Sequence, residues 1–296
     1  MIDYIFPYVN PEDKNWQKEF KKYHPQLNVY NQRYRDLGLL KYVFRGLDVN
    51  MPWLNQVIFI VSSQSQVPTW LNTEKVRVVT HDQFIPSKYL PTFNSNTIEM
   101  FLANIPNLSE KLIYGNDDFF FINSISETYF FENDLPKISY NKRQRPLSQY
   151  QKQCLRDWKL IENKFAKTHL KYNEYYNQLH GAQPILLSSL KEASEGTENE
   201  RLKSITQIRS LQLNYSQHLY FNYCICTHKC IKRNPSFFYT RMIKAKLKDI
   251  VKTISGNEIK EICLNDTIMT DLKIISSIQN VFDKKFPNQS KYEIII

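Results

Sequence analysis

Asn116, Asp117 and Asp118 form the densest local signal for chemistry in the chain. Adjacent carboxylates repel each other and lose hydration when held close, unless a cation or several donors compensate. They follow a short apolar run, Leu112 to Tyr114, that reads as a strand ending at Gly115. In open α/β sheets, ligands bind at the carboxyl ends of strands. Hard oxygen donors there select Mg2+ or Mn2+, cations that in turn bind diphosphates. The plainer alternative is an acidic turn capping the next segment. The neighbouring Phe119-Phe120-Phe121 run argues against it, because three phenylalanines call for burial and would hold the turn rigidly.

Other residues add to that signal. Asp3 stands inside the first apolar strand, where an isolated carboxylate is costly. Asp266 follows Ile262-Cys263-Leu264-Asn265, and taken alone it reads as a helix N-cap. Arg33 and Arg35 precede the first strong helical pattern. A guanidinium there can grip a phosphate bidentately, or pair with Asp36. His180, in His-Gly-Ala-Gln-Pro, sits before a proline turn and suits a general base, although a lone histidine is more often structural. Arg209 lies among Ile205, Ile208 and Leu213 on an expected helix and needs an anionic partner if buried. Together these residues supply a metal site, anion clamps and a base, the kit for phosphoryl transfer.

The elements that position them divide into two halves. Strand patterns at Ile2–Val9, Val57–Val61, Val76–Val79 and Leu112–Tyr114 alternate with helical patterns at Asp36–Leu47 and Asn96–Ile105. That alternation predicts an α/β layer with a largely parallel, Rossmann-like sheet. From about residue 150 the periodicity turns helical: Cys154–Tyr176, Ile185–Ala193, Ile205–Ile225, Thr240–Ile254 and Thr267–Phe282, with a polar loop at Glu192–Arg201. The expected organisation is an α/β core over residues 1–135, completed by a mainly helical, basic C-terminal portion over residues 136–296.

Composition excludes several classes. Hydrophobic residues make up 42% and charged residues 23%, ordinary globular values that argue against disorder. Six glycines in 296 residues, none spaced for G-x-G-x-x-G or G-x-x-x-x-G-K, exclude a glycine phosphate cradle. No run approaches the roughly 18 apolar residues of a membrane span, and the N-terminus lacks the basic start and cleavage site of a secretory signal. Five cysteines with no C-x-x-C suit a reducing cytoplasm and favour buried thiols over structural zinc. Residues 1–150 carry 16 Lys and Arg against 15 Asp and Glu, whereas residues 151–296 carry 23 against 14. The basic half, densest from Lys229 to Lys252, attracts a polyanion unless it is simply a solvated face. A nucleic-acid binder is disfavoured, because no RNP, zinc-finger or helix-turn-helix signature accompanies the charge.

The opening Ile2-Asp3-Tyr4-Ile5-Phe6-Pro7-Tyr8-Val9-Asn10 resembles the first conserved block of the Stealth proteins. The stretch from Arg33-Tyr34-Arg35-Asp36 through Pro52-Trp53, Pro68-Thr69-Trp70-Leu71-Asn72, His81, Leu90-Pro91-Thr92-Phe93-Asn94-Ser95 and Tyr114-Gly115-Asn116-Asp117-Asp118 resembles their long second block. His180 with Pro184, then Arg209-Ser210, is similar to the third. Cys263-Leu264-Asn265-Asp266, with Phe286-Pro287 and Ser290-Lys291-Tyr292-Glu293, is similar to the fourth.

Stealth proteins are sugar-1-phosphate transferases, so the resemblance implies a glycosyltransferase-A-type nucleotide-binding layer and a divalent Mg2+ or Mn2+. It implies a nucleotide-sugar donor, an anionic or lipid-linked glycan acceptor and a nucleoside monophosphate leaving group. It also implies a cytoplasmic enzyme of capsular or exopolysaccharide synthesis whose lipid-linked acceptor would bring it into peripheral contact with the inner membrane leaflet, as a monomer or an oligomer. On that pattern Asp117, Asp118 and Asp266 would hold metal. His180 or Asp3 would serve as base, with Arg209 and Asp117 also catalytic. Asp3, Tyr8, Asn10, Arg33, Asp36, Asn94 and Asn116 would contact the nucleotide-sugar. Departures are Asn10-Pro11 where many relatives have Asp-Gly, Tyr8 for Trp, and Leu37 where bacterial relatives often have Trp. A conventional metal-dependent glycosyltransferase releasing a nucleoside diphosphate is the alternative, and a non-enzymatic polyanion binder a more distant one.

Overall fold

A computed structural model of the chain describes residues 1–28, 32, 34–166 and 169–294. The main sheet has the order β3-β2-β1-β4, all parallel: β1 (Ile2–Pro7), β2 (Gln56–Val61), β3 (Val76–Thr80) and β4 (Lys111–Tyr114). This is the Rossmann-like arrangement that the alternating pattern predicts. Its strands read as near-continuous apolar runs because both faces are covered. Tyr4, Phe6, Phe59 and Val61 face one core, closed by α2 (Leu40–Asn50). Ile5, Ile58, Ile60 and Val79 face the other, where α3 (Ser95–Met100) packs. An additional helix, α1 (Lys14–Tyr23), is capped by the Asp13 side chain and buries Trp16 and Phe20.

The chain leaves this sheet at Asn116–Asp118 and enters a second one. Phe119–Phe121 is not merely a buried flank but a strand, β5. Short strands β6 (Phe131–Glu132) and β7 (Leu135–Ile138) follow, then β8 (Tyr140–Gln144), α4 (Gln149–Phe165) and β9 (Glu174–Gln178). The expected helix at Cys154–Tyr176 thus stops at Phe165, and the aromatic Glu174–Gln178 segment pairs with β8. Pro184 and Ile185 belong to β10 (Gln183–Leu186), which adds antiparallel to β4 as the fifth strand.

The supposed polar loop at 192–201 is helical, in α5 (Leu187–Gly196) and α6 (Glu198–Lys203). The supposed helix at 205–225 is helical only in α7 (Ser216–Cys226). Residues 205–215 instead form a loop whose backbone bonds to side chains: Asn94 and Thr97 both donate to the Thr206 carbonyl, and Asn96 to that of Asn214. Such competing side-chain bonds displace a helix that apolar spacing alone would predict.

The chain ends with β11 (Ile231–Lys232), β12 (Phe237–Arg241), α8 (Leu247–Ser255), β13 (Glu261–Asn265) and α9 (Leu272–Lys285). β13 lies between β12 and β5 in the second sheet. The register that places Cys263 opposite Phe119 decides the site, because it sets Leu264–Asp266 beside Asp118 and its neighbours. The Leu264 amide donates to the Asp118 carbonyl at 3.1 Å. All five cysteines are free, and none of the helices described is long and apolar enough to cross a membrane.

Candidate active site

A cleft of about 550 Å3 opens at the carboxyl ends of β1, β2, β3 and β4 and continues to the end of β13. Tyr8, Asp36, Asn116, Asp117, Asp118, His180, Arg209 and Asp266 all line it. Residues up to 258 positions apart therefore converge, because parallel strands share one carboxyl edge and β5–β13 pairing closes its far side.

The acidic turn is held from below. A Cβ on Gly115 would lie 1.8 Å from the Tyr4 hydroxyl, so only glycine lets the chain pass there. Asp117 is exposed and Asp118 half-buried, both on the cleft wall with protein packed closely behind them. Loss of bulk water pushes Asp117 up to about 8, with repulsion from Asp118 and then Asp36 adding to it. The same desolvation pushes Asp118 up to about 6, partly offset by a bond from the Cys263 thiol. Among the described residues, Asp118 Oδ1 is buried without a hydrogen-bond partner. Asp118, His180 and Cys263 bring one ligand atom each within 4.8 Å of one another.

His180 follows β9 rather than a helix. Its ring stands edge-on to Phe119 and Tyr239, with centroids 5.1 and 5.2 Å away. The ring is exposed to the cleft, but crowding by protein behind it and the nearby Arg209 charge lower its pKa to about 4, so the imidazole is neutral near pH 7 and able to accept a proton. Arg209 is delivered by the 205–215 loop rather than a helix. Its guanidinium lies over the Tyr215 ring at 4.8 Å, and among the described residues its Nε is buried without a partner. Tyr215 and Tyr114 both donate to Glu99 Oε1, which gives that arginine an acidic neighbour on the protein side.

Asp266 lines the cleft, but both its oxygens accept from Arg35, at 2.8 Å from Nε and 2.5 Å from Nη2. Its carboxylate is therefore engaged by a guanidinium and stands apart from the group formed by Asp118, His180 and Cys263. It also settles Arg35, which pairs with Asp266 and not Asp36. Asp36 instead accepts from the Tyr8 hydroxyl at 2.7 Å, fixing an aromatic ring that also stacks on Phe59.

Three expected site residues lie outside the cleft lining. Asp3 starts β1, at the opposite end of the sheet from the cleft, and is satisfied by Asn55, Gln56 and the amide and hydroxyl of Ser109. It is neither base nor nucleotide contact. The Asn10 side chain accepts from the Glu12 amide and shapes the turn before α1. Asn94 is buried as the N-cap of α3 and donates to Thr206, so it holds the Arg209 loop instead of touching a ligand. Arg33 lies outside the described residues.

The structure adds lining residues that the sequence analysis did not single out as site residues: Trp16, Ser62 and His81. Asp13 before Trp16 and Phe20, a cap followed by i, i+4 aromatics, was the signal for α1 and its tryptophan. Ser62 and His81 follow β2 and β3 directly, where strand-end position was the available clue. His81 Nε2 is buried with no partner among the described residues, and burial lowers its pKa to about 4.

Residues 33–138 match Stealth protein CR2, conserved region 2. Along 99% of its length the chain is similar to the capsular polysaccharide phosphotransferase WcwK of Streptococcus pneumoniae, at 28% identity over 98% of that protein. The exopolysaccharide phosphotransferase cps2G of Lactiplantibacillus plantarum is 26% identical over 99% of this chain and 96% of its own. The capsular polysaccharide phosphotransferase fcs1 of Haemophilus influenzae is 39% identical over 46% of this chain and 40% of its own. Among solved structures, galactosyltransferase LgtC in complex with donor and acceptor sugar analogs covers 95% of both chains at a TM-score of 0.47 and 12% identity. Residues 33–138 thus carry the second conserved region of the Stealth proteins, and the whole chain is similar to phosphotransferases of capsular and exopolysaccharide synthesis.

Proposed function

We infer that the protein transfers a sugar-1-phosphate from a nucleotide-sugar, such as a UDP-sugar, to a glycan hydroxyl in capsular or exopolysaccharide synthesis. The observation that carries this reading is the Asp117–Asp118 pair. It consists of two desolvated carboxylates at strand ends, one oxygen of which lacks a partner, facing a cleft that also presents arginine and a neutral histidine. Whole-length similarity to two phosphotransferases of capsular and exopolysaccharide synthesis supports it.

Those donors fit a hard divalent cation. Asp117 and Asp118 would hold Mg2+ or Mn2+, with His180 within reach, while Cys263 is kept a thiol by burial and donates to Asp118. Such an ion supplies charge neutralisation to the diphosphate when bound. The protein's own groups do the rest. Arg209 faces the transferred phosphoryl group, and Arg35, oriented by Asp266, flanks the same wall. His180 takes the acceptor hydroxyl proton as the acceptor oxygen bonds to the sugar-bearing phosphorus. The bond from that phosphorus to the bridging oxygen breaks, and UMP leaves. Tyr8, Asp36 and Asn116 line the donor side. In this reading residues 136–296 complete the active site of the 1–135 core, because His180, Arg209 and Asp266 all come from them.

Incubation with a panel of UDP-sugars, Mn2+ and a glycan acceptor tests the proposal. The expected products are UMP and a phosphodiester visible by 31P NMR. Release of UDP with a glycosidic product would replace this reading with conventional glycosyl transfer.

A further inference from the structure

Directly after Asp266, the chain makes a turn that displays apolar side chains outward. Ile268, Met269 and Leu272 are 88%, 69% and 80% exposed, three large apolar residues within five positions. Singly exposed apolar residues need no explanation, but a fixed cluster does. The turn is fixed because its polar groups are satisfied inward. The Thr267 amide bonds to Asp266 Oδ1 and Thr270 Oγ1, the Met269 amide to Thr267 Oγ1, and Thr270 Oγ1 donates to the Met242 carbonyl. Asp271 is occupied as the N-cap of α9, accepting from the Ile274 amide.

The Thr270–Met242 bond sets this turn against the middle of the basic Lys229–Lys252 segment. Lys244, Lys246 and Lys248 follow Met242 within six residues and are exposed, and Lys273 lies in the first turn of α9. α8 packs on α9 through Ile250, Ile254, Ile274 and Ile278, which keeps the lysines and the apolar turn on one rigid body. Both meet the cleft, because Met242, Asn265 and Asp266 are lining residues.

We propose that Ile268, Met269 and Leu272 insert into the interface of an anionic phospholipid bilayer while Lys244, Lys246, Lys248 and Lys273 engage its headgroups, docking the mouth of the cleft against the membrane. Charge complementarity selects an anionic occupant, and the apolar turn selects lipid over polymer. An anionic glycan would satisfy the lysines and leave three apolar side chains in water. Weak apolar insertion and weak polybasic attraction each give marginal binding, and together they give stable peripheral attachment. The proposal goes beyond the transfer chemistry and does not depend on the donor.

Co-sedimentation with phosphatidylcholine vesicles, with and without phosphatidylglycerol, tests it. Binding is expected only with phosphatidylglycerol and should weaken as salt rises. The triple variant Ile268→Ser, Met269→Ser, Leu272→Ser should lose roughly tenfold or more in vesicle affinity, as should Lys244→Glu, Lys246→Glu, Lys248→Glu. In Met269→Trp, emission above the wild-type background should shift blue and be quenched by doxyl-labelled lipid. Wild-type vesicle affinity in the triple serine variant, or an unquenched Trp, overturns insertion. So does binding to soluble polyphosphate without binding to vesicles. Since none of these assays contains donor or acceptor, their outcome and that of the UMP assay are read separately.

Discussion

Asp3, fully buried, and the Asp117–Asp118 pair, exposed to half-buried on the cleft wall, are acidic residues at the two ends of one sheet, on neighbouring strands, and they meet opposite fates. At the amino end of β1, Asp3 accepts four hydrogen bonds, from Asn55, Gln56 and twice from Ser109, all between 2.8 and 3.0 Å. At the carboxyl end of β4, Asp117 and Asp118 repel each other and are raised to about 8 and about 6, and Asp118 Oδ1 is buried without a partner among the described residues. Burial of charge does not by itself mark a site. A buried carboxylate whose donors come from the protein is architecture, and one whose donors are missing awaits a ligand.

The comparison is sharpest if substitutions separate activity from stability. Asp118→Asn, and separately Asp117→Asn, should lower UMP release by about 10^3-fold or more if the two carboxylates are the hard ligands of the proposed cation. Each should leave the melting temperature unchanged or higher, since the repulsion between two adjacent carboxylates has gone. Asp3→Ala should do the reverse. It leaves four donors unsatisfied at the far end of the sheet and should cost about 3 kcal/mol in denaturant titration, with turnover per folded molecule preserved. Abolished turnover in stable Asp3→Ala would break the distinction.

Arg209→Ala comes next, with a fall of about 10^2-fold in UMP release. Arg209→Lys should recover only part of it, because an ammonium cannot reproduce both the fork and the stacking on Tyr215. The Asn94 side chain, which reaches the same loop through Thr206, should give a smaller version of the Arg209 defect when changed to Ala.

Much of this distinction is legible in the sequence, and the part that is not has a physical cause. The parallel layer shows because strands buried on both faces read as unbroken apolar runs, and Asp117–Asp118 shows because adjacent carboxylates after such a run are conspicuous. Asp3 misleads for the same reason, since its four donors come from positions 55, 56 and 109 and no local pattern announces them. The second half is harder. Its strands are short, and β13 is fixed by pairing with β12 on one side and, more than a hundred residues away, with β5 on the other. Helical spacing around Arg209 is real, but side chains from α3 take the loop's backbone and override it. Arg35 with Asp266 needs that same long-range register before it can be seen.

The smallest expected effect is a pH dependence that again sets the two ends of the sheet apart. Asp117 at about 8, Asp118 at about 6, and the buried Glu99 and Glu261 at about 7 are all raised, in each case chiefly by loss of water. A carboxyl raised in the folded state keeps its proton after the unfolded chain has lost it. Its stabilising contribution is complete below about pH 4 and is lost as pH rises through the folded value. Melting temperature should therefore fall by a few degrees between about pH 6.5 and pH 8, above the range in which His81 and His180, lowered to about 4, gain stability with rising pH and oppose the fall. Carboxylates in ion pairs, such as Glu293 with Arg45, are lowered and lose their contribution only at more acidic pH, so they leave this window clear. Asp117→Asn with Asp118→Asn should flatten the slope but not abolish it, because Glu99, Glu261 and the raised His218 titrate in the same direction. Mn2+ at pH 8 should restore the melting temperature of the wild type and leave the double Asn variant unmoved. Asp3→Ala, destabilised overall, should keep both the slope and the Mn2+ response, and losing either would place Asp3 back among the residues of the cleft.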